Sequence, residues 1–210
     1  DMASLTKQAH ANGALTIWDL CHTAGAMPVD LAGTKADFAL GCTYKYLNGG
    51  PGAPAFAYIP TAQQSTFNQP LTGWMGHAQP FAFVDDYAPA PDIKRFLSGT
   101  PGVLSMISLD AALDVWAGVD LNVLRTKSMA LGDLFIALVE PRCANHNFIL
   151  ASPRDSQARG SQVSFRHEQG YAIMQALIAR GVIGDFRAPD IIRFGFTPLY
   201  TRYVDVWKAA

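Results

Sequence analysis

Charge is what this chain has least of. Asp, Glu, Lys and Arg together make up 16% of its 210 residues and balance to a formal net charge of −1. Such a balance removes the ground for expecting nucleic acid or an anionic membrane as a partner. Cysteine is scarce too. Cys21, Cys42 and Cys143 are an odd number, without the paired spacing of a zinc site or a disulfide framework. Cys21 and Cys42 both fall at predicted strand ends, so buried free thiols in a reducing, cytoplasmic compartment are expected. No apolar run is long enough to span a bilayer, no basic-then-apolar leader stands at the start, and no repeat or low-complexity tract interrupts the chain. What is there is apolar: half of the residues, enough for one sizeable core or two modest lobes.

Taken in order, short apolar runs alternate with helical patterns. Asp1 is placed to cap a helix that Asn12-Gly13 ends. A strand is predicted over 14–18, stopping at Asp19, with a short helical segment after Asp30. A second strand over 37–43 delivers Lys45, and a third apolar run over 53–59 follows a glycine-rich turn. Strands of this kind, buried on both faces, predict an α/β layer with a mainly parallel sheet. In such sheets ligands lie outside the strand ends, where Asp19 and Lys45 both arrive. Residues 61–102 are rich in Pro, Gly and aromatics and read as a long functional loop. Helices are predicted over 103–116 and over 121–139, the second stopped by Pro141. Strands at 148–150, 163–165, 182–183 and 191–196, with a helix over 169–180 and another at the end, predict a small α+β lobe. The expected division is 1–118 for the larger domain, 119–146 for a connecting helix and 147–210 for the small lobe.

Lys45 lies between Tyr44 and Tyr46, directly before Leu47-Asn48-Gly49-Gly50-Pro51-Gly52. At the mouth of a sheet, desolvation can strip a lysine of its charge and make it a nucleophile. Asp19 ends the preceding strand and His22 follows three residues later. A carboxylate, an imidazole and a primary amine at neighbouring strand ends suit pyridoxal phosphate (PLP). The amine forms a Schiff base with the cofactor, and the carboxylate keeps the pyridine nitrogen protonated.

The stretches 18–25 and 41–52, with Gly73-Trp74-Met75-Gly76-His77, Ser98-Gly99-Thr100-Pro101 and residues 193–200, resemble kynureninases over essentially the whole chain. The resemblance implies the fold type I architecture of PLP enzymes, close to class V aminotransferases and cysteine desulfurases. It implies PLP-dependent hydrolysis of L-kynurenine to anthranilate and L-alanine, in tryptophan catabolism toward NAD biosynthesis, by a homodimer with shared sites. On it, Lys45 is the Schiff-base lysine and proton shuttle. Asp19 pairs with the pyridine nitrogen, with His22 beside it. Tyr44 binds the cofactor phosphate and assists protonation, and Trp74 and Thr100 complete the phosphate site from the neighbouring subunit. Arg193 clamps the substrate α-carboxylate, a task suited to a bidentate guanidinium. Gly99-Thr100 resembles bacterial members favouring kynurenine over 3-hydroxykynurenine. Kynureninases carry an N-terminal half that has no counterpart in these 210 residues, so the piece alone is expected to be inactive. Two other readings are a cysteine desulfurase-like enzyme, which needs a nucleophilic Cys on a mobile loop, and a fragment that only binds PLP or dimerises.

Overall fold

In a computed structural model, which describes residues 1–210, the chain forms two units: 1–24 with 29–117, and 25–28 with 118–210. In the first, the Asp1 carboxylate accepts the Ser4 N–H at 3.1 Å and caps α1 (Met2–Ala11). Gly13, at φ +71°, turns the chain out of the helix. Strands β1 (Ile17–Asp19), β2 (Phe38–Cys42) and β3 (Ala55–Tyr58) form a three-stranded sheet in that order. β1 and β2 are parallel, whereas β3 returns antiparallel to β2. The sequence reading of a mainly parallel sheet meets its limit at β3. The glycine turn after Lys45 carries no crossover helix, and without one a following strand can only fold back antiparallel. Nor are the strands buried on both faces: β1 and β3 alternate exposed and half-buried residues. The helical segment predicted after Asp30 is a run of turns instead.

Residues 61–102 are largely irregular, as expected, apart from α2 (Thr61–Gln64) and two 3₁₀ turns, Trp74–Gly76 and Ile93–Phe96. The two turns are pressed together, with the Met75 N–H donating to the Ser98 carbonyl at 3.1 Å. A Cβ at Gly73 would lie 2.1 Å from that same oxygen, so the position has room for hydrogen only. Helix α3 (Val103–Asp114) closes the unit and has no buried residue.

The second unit is built on α4 (Leu121–Arg142), capped by the Asp120 carboxylate. Its buried residues, Leu124, Ser128, Leu131, Phe135, Ile136 and Val139, recur at helical spacing. Pro141 lies inside α4 rather than ending it. So close to the C-terminus it removes one intrahelical bond, and Cys143 N–H still closes the turn on the Val139 carbonyl at 2.8 Å. Strands β4 (Ile149–Leu150), β5 (Gln162–Arg166), β6 (Asp185–Arg187) and β7 (Ile191–Gly195) form an antiparallel sheet in the order β4-β5-β7-β6. α5 (Gly170–Ile178) and α6 (Tyr203–Ala209) complete the α+β lobe. Its core joins Leu131, Phe135 and Val139 to Val163, Phe165, Ile192 and Phe194. The strand predicted at 182–183 is displaced to β6. Ile183 is exposed, and Asp185 pairs across to Arg193 in register.

Candidate active site

Parallel pairing brings the C-terminal ends of β1 and β2 to one edge. Asp19 is the last residue of β1, and Lys45 follows the end of β2 by three. Beyond β2 the chain turns sharply. The Thr43 hydroxyl donates to the Pro54 carbonyl at 2.5 Å, Gly49 N–H to the Thr43 carbonyl at 2.9 Å, and Asn48 N–H to the Lys45 carbonyl at 3.0 Å. The Tyr44–Asn48 loop is thereby pinned at both ends. A Cβ at Gly49 would stand 2.8 Å from that of Ala53 and 3.2 Å from Leu109 Cδ1, so only glycine lets α3 approach this turn so closely.

The Asp19 carboxylate accepts the Cys21 N–H at 2.8 Å. That bond first, then the Cys21 side chain, with the charges of Lys45 and His22 adding, holds its pKa below the usual carboxylate range. Asp19 is therefore close enough to both His22 and Lys45 to feel their charge. Asp19 and His22 are exposed, so the buried strand-end carboxylate expected of Asp19 is not found: β1 lies at the edge of the sheet. The Lys45 ammonium lies 5.2 Å from the centroid of the Tyr44 ring, within cation–π range.

The expectation that desolvation discharges Lys45 is overturned. Burial does push its pKa down, but the neighbouring Cys42 and Tyr44 outweigh it, and the net shift is upward. Lys45 is half-exposed, too wet for desolvation to win. This exposes a residue that the sequence reading left out of the site. Cys42 ends β2, close enough to Lys45 to push the pKa of its amine up. Its place three residues before Lys45, on the same strand end, was the available signal.

Trp74 opens its 3₁₀ turn and meets the Phe81 ring edge-on, with centroids 5.7 Å apart. The cavity it lines, of about 530 Å³, is walled by residues between His77 and Tyr87 and by none of Asp19, His22, Tyr44 or Lys45. Thr100 is exposed, two residues before the cap of α3. Within this chain, then, Trp74 belongs to a separate hollow. Arg193, in the second unit, lies on β7 and is ion-paired with Asp185 on β6. That is the partner an arginine inside an apolar run needs. Asp185 also binds Arg187 at 3.0 Å, so its charge is shared between two guanidiniums.

Comparison with known proteins follows the same division. Residues 124–210 match the family described as the kynureninase C-terminal domain. The whole chain is 58% identical over 209 residues to a kynureninase of Burkholderia mallei (strain SAVP1), of which it covers 50%. To a kynureninase of Pseudomonas fluorescens it is 54% identical, again covering all of this chain and 50% of the relative. The chain thus resembles the C-terminal half of kynureninases and spans about half the length of the curated relatives it matches. Among solved structures, the cysteine desulfurase CsdA of Escherichia coli superposes with a TM-score of 0.81 at 21% identity, over 100% of this chain and 53% of that one. The cysteine desulfurase of Thermococcus onnurineus NA1 gives 0.80 at 20% identity, over 99% and 54%. A C-DES variant with glycine covalently linked to its PLP cofactor gives 0.71 at 17% identity, over 89% and 48%. The fold is that of fold type I, class V PLP enzymes.

Proposed function

We propose that this chain is the C-terminal half of a kynureninase, hydrolysing L-kynurenine to anthranilate and L-alanine with pyridoxal phosphate in tryptophan catabolism. The observation that carries it is identity above half to curated kynureninases over 209 residues, with Asp19 and Lys45 electrostatically coupled at one strand edge. The donor set fits the cofactor. An ionised carboxylate, a primary amine and a phenol face an open edge, and the pinned glycine turn holds two of them in place. Bound there, pyridoxal phosphate would supply the electron sink that lets the Cβ–Cγ bond of the substrate break.

The chain's own residues do the rest. Asp19, kept ionised by the Cys21 N–H, would hold a proton on the ring nitrogen. Lys45 Nζ is the covalent attachment point, and once released would carry a proton to and from the substrate α-carbon. Its upward-shifted pKa leaves it charged at neutral pH, suited to giving a proton back. Tyr44, with its ring against the ammonium, would donate from its phenol to the leaving alanine carbon and bind phosphate. His22 would flank the ring. Arg193 would exchange part of its pairing with the shared Asp185 for the substrate α-carboxylate.

Trp74 and Thr100 would complete the phosphate site of a second subunit, so the enzyme would act as a homodimer. The separation of Trp74's hollow from Lys45 supports this, as does the apolar surface of α3, where Leu104 is 82% exposed. No helix is long and apolar enough to cross a membrane, and three free thiols support the cytoplasm as its compartment. A cysteine desulfurase would need a reactive thiol, yet burial pushes the Cys143 thiol up, at the end of a helix. The test is anthranilate fluorescence on adding L-kynurenine and PLP to the protein in its natural full length, with Lys45→Ala as control. Fluorescence that needs Lys45 supports the assignment. Sulfide release from cysteine, with no anthranilate, would replace it by the desulfurase reading.

A further inference from the structure

Two of the three thiols stand at the ends of the strands that carry Asp19 and Lys45. β1 and β2 pair with a constant offset: Ile17 faces Phe38, Trp18 faces Ala39, and Asp19 faces Leu40. The Leu20 N–H donates to the Leu40 carbonyl at 2.8 Å, completing the Asp19–Leu40 pair, and the chain then turns. Cys21 opens that turn two residues past Asp19, and Cys42 ends β2 two residues past Leu40. Strands paired in this way lie about 4.8 Å apart where the turn begins, and a disulfide bridges roughly 4.4–6.8 Å between Cα atoms. The Cys42 sulfur is already 3.7 Å from the Cys21 carbonyl. Both are free and half-buried, so a small reagent can reach them.

We propose that Cys21 and Cys42 are an oxidative modification site. This dithiol closes to an intramolecular disulfide on meeting a low-molecular-weight disulfide of the glutathione type, and its closure lowers turnover at the adjoining Asp19–Lys45 edge. The Asp19 carboxylate beside Cys21 pushes that thiol up, so Cys42 opens the exchange. Its thiolate attacks one sulfur of the oxidant, forms a mixed disulfide and expels a small thiolate. Cys21 then gives up its proton, attacks the Cys42 sulfur and expels the second small thiolate. Two protein thiols are oxidised, one small disulfide is reduced to two thiols, and the two protons go to the leaving thiolates. Closure withdraws the Cys21 thiol from Asp19 and the Cys42 sulfur from Lys45, two neighbours that act on those groups.

The effect on turnover rests on the proposed kynureninase reading, whereas the cross-link itself does not. The protein in its natural full length is treated with oxidised glutathione, denatured in iodoacetamide and mapped by peptide mass. A linked Cys21–Cys42 peptide, lighter by two hydrogens than the unlinked pair, is expected. It should be lost on adding dithiothreitol, absent in Cys21→Ala and Cys42→Ala, and retained in Cys143→Ala. Turnover of L-kynurenine should fall at least several-fold with the cross-link and return with the reductant. Free Cys21 and Cys42 after oxidation, or stable glutathione adducts in place of the link, would overturn the site. A link that leaves turnover unchanged would overturn its control of the reaction. Protein that cross-links but hydrolyses no kynurenine in either state would sink the proposed function and leave the dithiol standing.

Discussion

Asp37 stands directly before β2 with its carboxylate crowded by donors. Thr16 N–H and hydroxyl reach Oδ2 at 2.8 and 2.9 Å, His10 Nε2 lies 2.8 Å from the same oxygen, and the Gln63 amide reaches Oδ1 at 3.3 Å. Burial alone would raise its pKa, but the hydrogen bonds from His10, Thr16 and Gln63 overcome that and bring it to about 2. A carboxyl depressed in the folded state stabilises the fold above its unfolded pKa. The gain is lost as pH falls through the folded one, here between about 4 and 2. Asp37→Asn should therefore cost about 2 kcal/mol near neutrality, and the cost should vanish at the acid end of that window. Urea unfolding across the pH range reads it, and a cost that persists unchanged below pH 2 would show that shape rather than charge is at stake. Tyr44→Phe separates two roles in the same way. The ring 5.2 Å from Lys45 stays, the phenolic proton goes, and turnover should drop about 100-fold, the lower end of what a positioned acid supplies. A drop no greater than a few-fold, read by anthranilate fluorescence, would reduce Tyr44 to a packing residue.

At the scale of elements, the turn after Lys45 is where local sequence and tertiary packing agree. Gly50 and Gly52 sit at φ +76° and +84°, which their sequence announces, but the need for glycine at 49 comes from Ala53 and the Thr43 carbonyl within the turn and from Leu109 on α3. Gly49→Ala would force the Thr43 carbonyl, Ala53 and Leu109 apart and cost about 1–3 kcal/mol, the usual price of overpacking. Cofactor uptake, followed by absorbance, should weaken in parallel; uptake at the parental level would mean that the turn yields without moving Lys45. The strands that hold Asp19 and Lys45 were legible because apolar runs and their polar stops mark a buried strand and its end. Whether β3 runs parallel or antiparallel was not, since that depends on the absence of a crossover in the turn rather than on the content of the run. β6 was missed for another reason. Val182 and Ile183 look like strand, but the pairing with β7 is fixed further on, where Asp185 meets Arg193. Lys45's charge state was illegible for the same cause: it depends on Cys42 and Tyr44 as neighbours in space and on how little water the fold removes.

For the whole molecule, the decisive fact is that each unit carries its own sheet, and the second its own aromatic core. Phe135 on α4 meets Phe194 at 4.8 Å, Phe196 at 5.3 Å and Phe165 at 6.1 Å between ring centroids, and is all but fully buried. Its truncation leaves a cavity under both β5 and β7 that these rigidly paired strands cannot collapse to fill. Phe135→Ala should then cost about 3–5 kcal/mol, a large part of the ~5–15 kcal/mol that holds a domain folded. If the units hold themselves together separately, amide protons of β5 and β7 should lose protection against exchange while those of β2 keep theirs. Lys45 should then still take up cofactor, because the Asp19–Lys45 edge and its glycine turn lie wholly in the first unit. Equal loss of protection in β2 would mean that the units unfold as one cooperative block. The roles proposed for Arg193 and Lys45 would then stand or fall together.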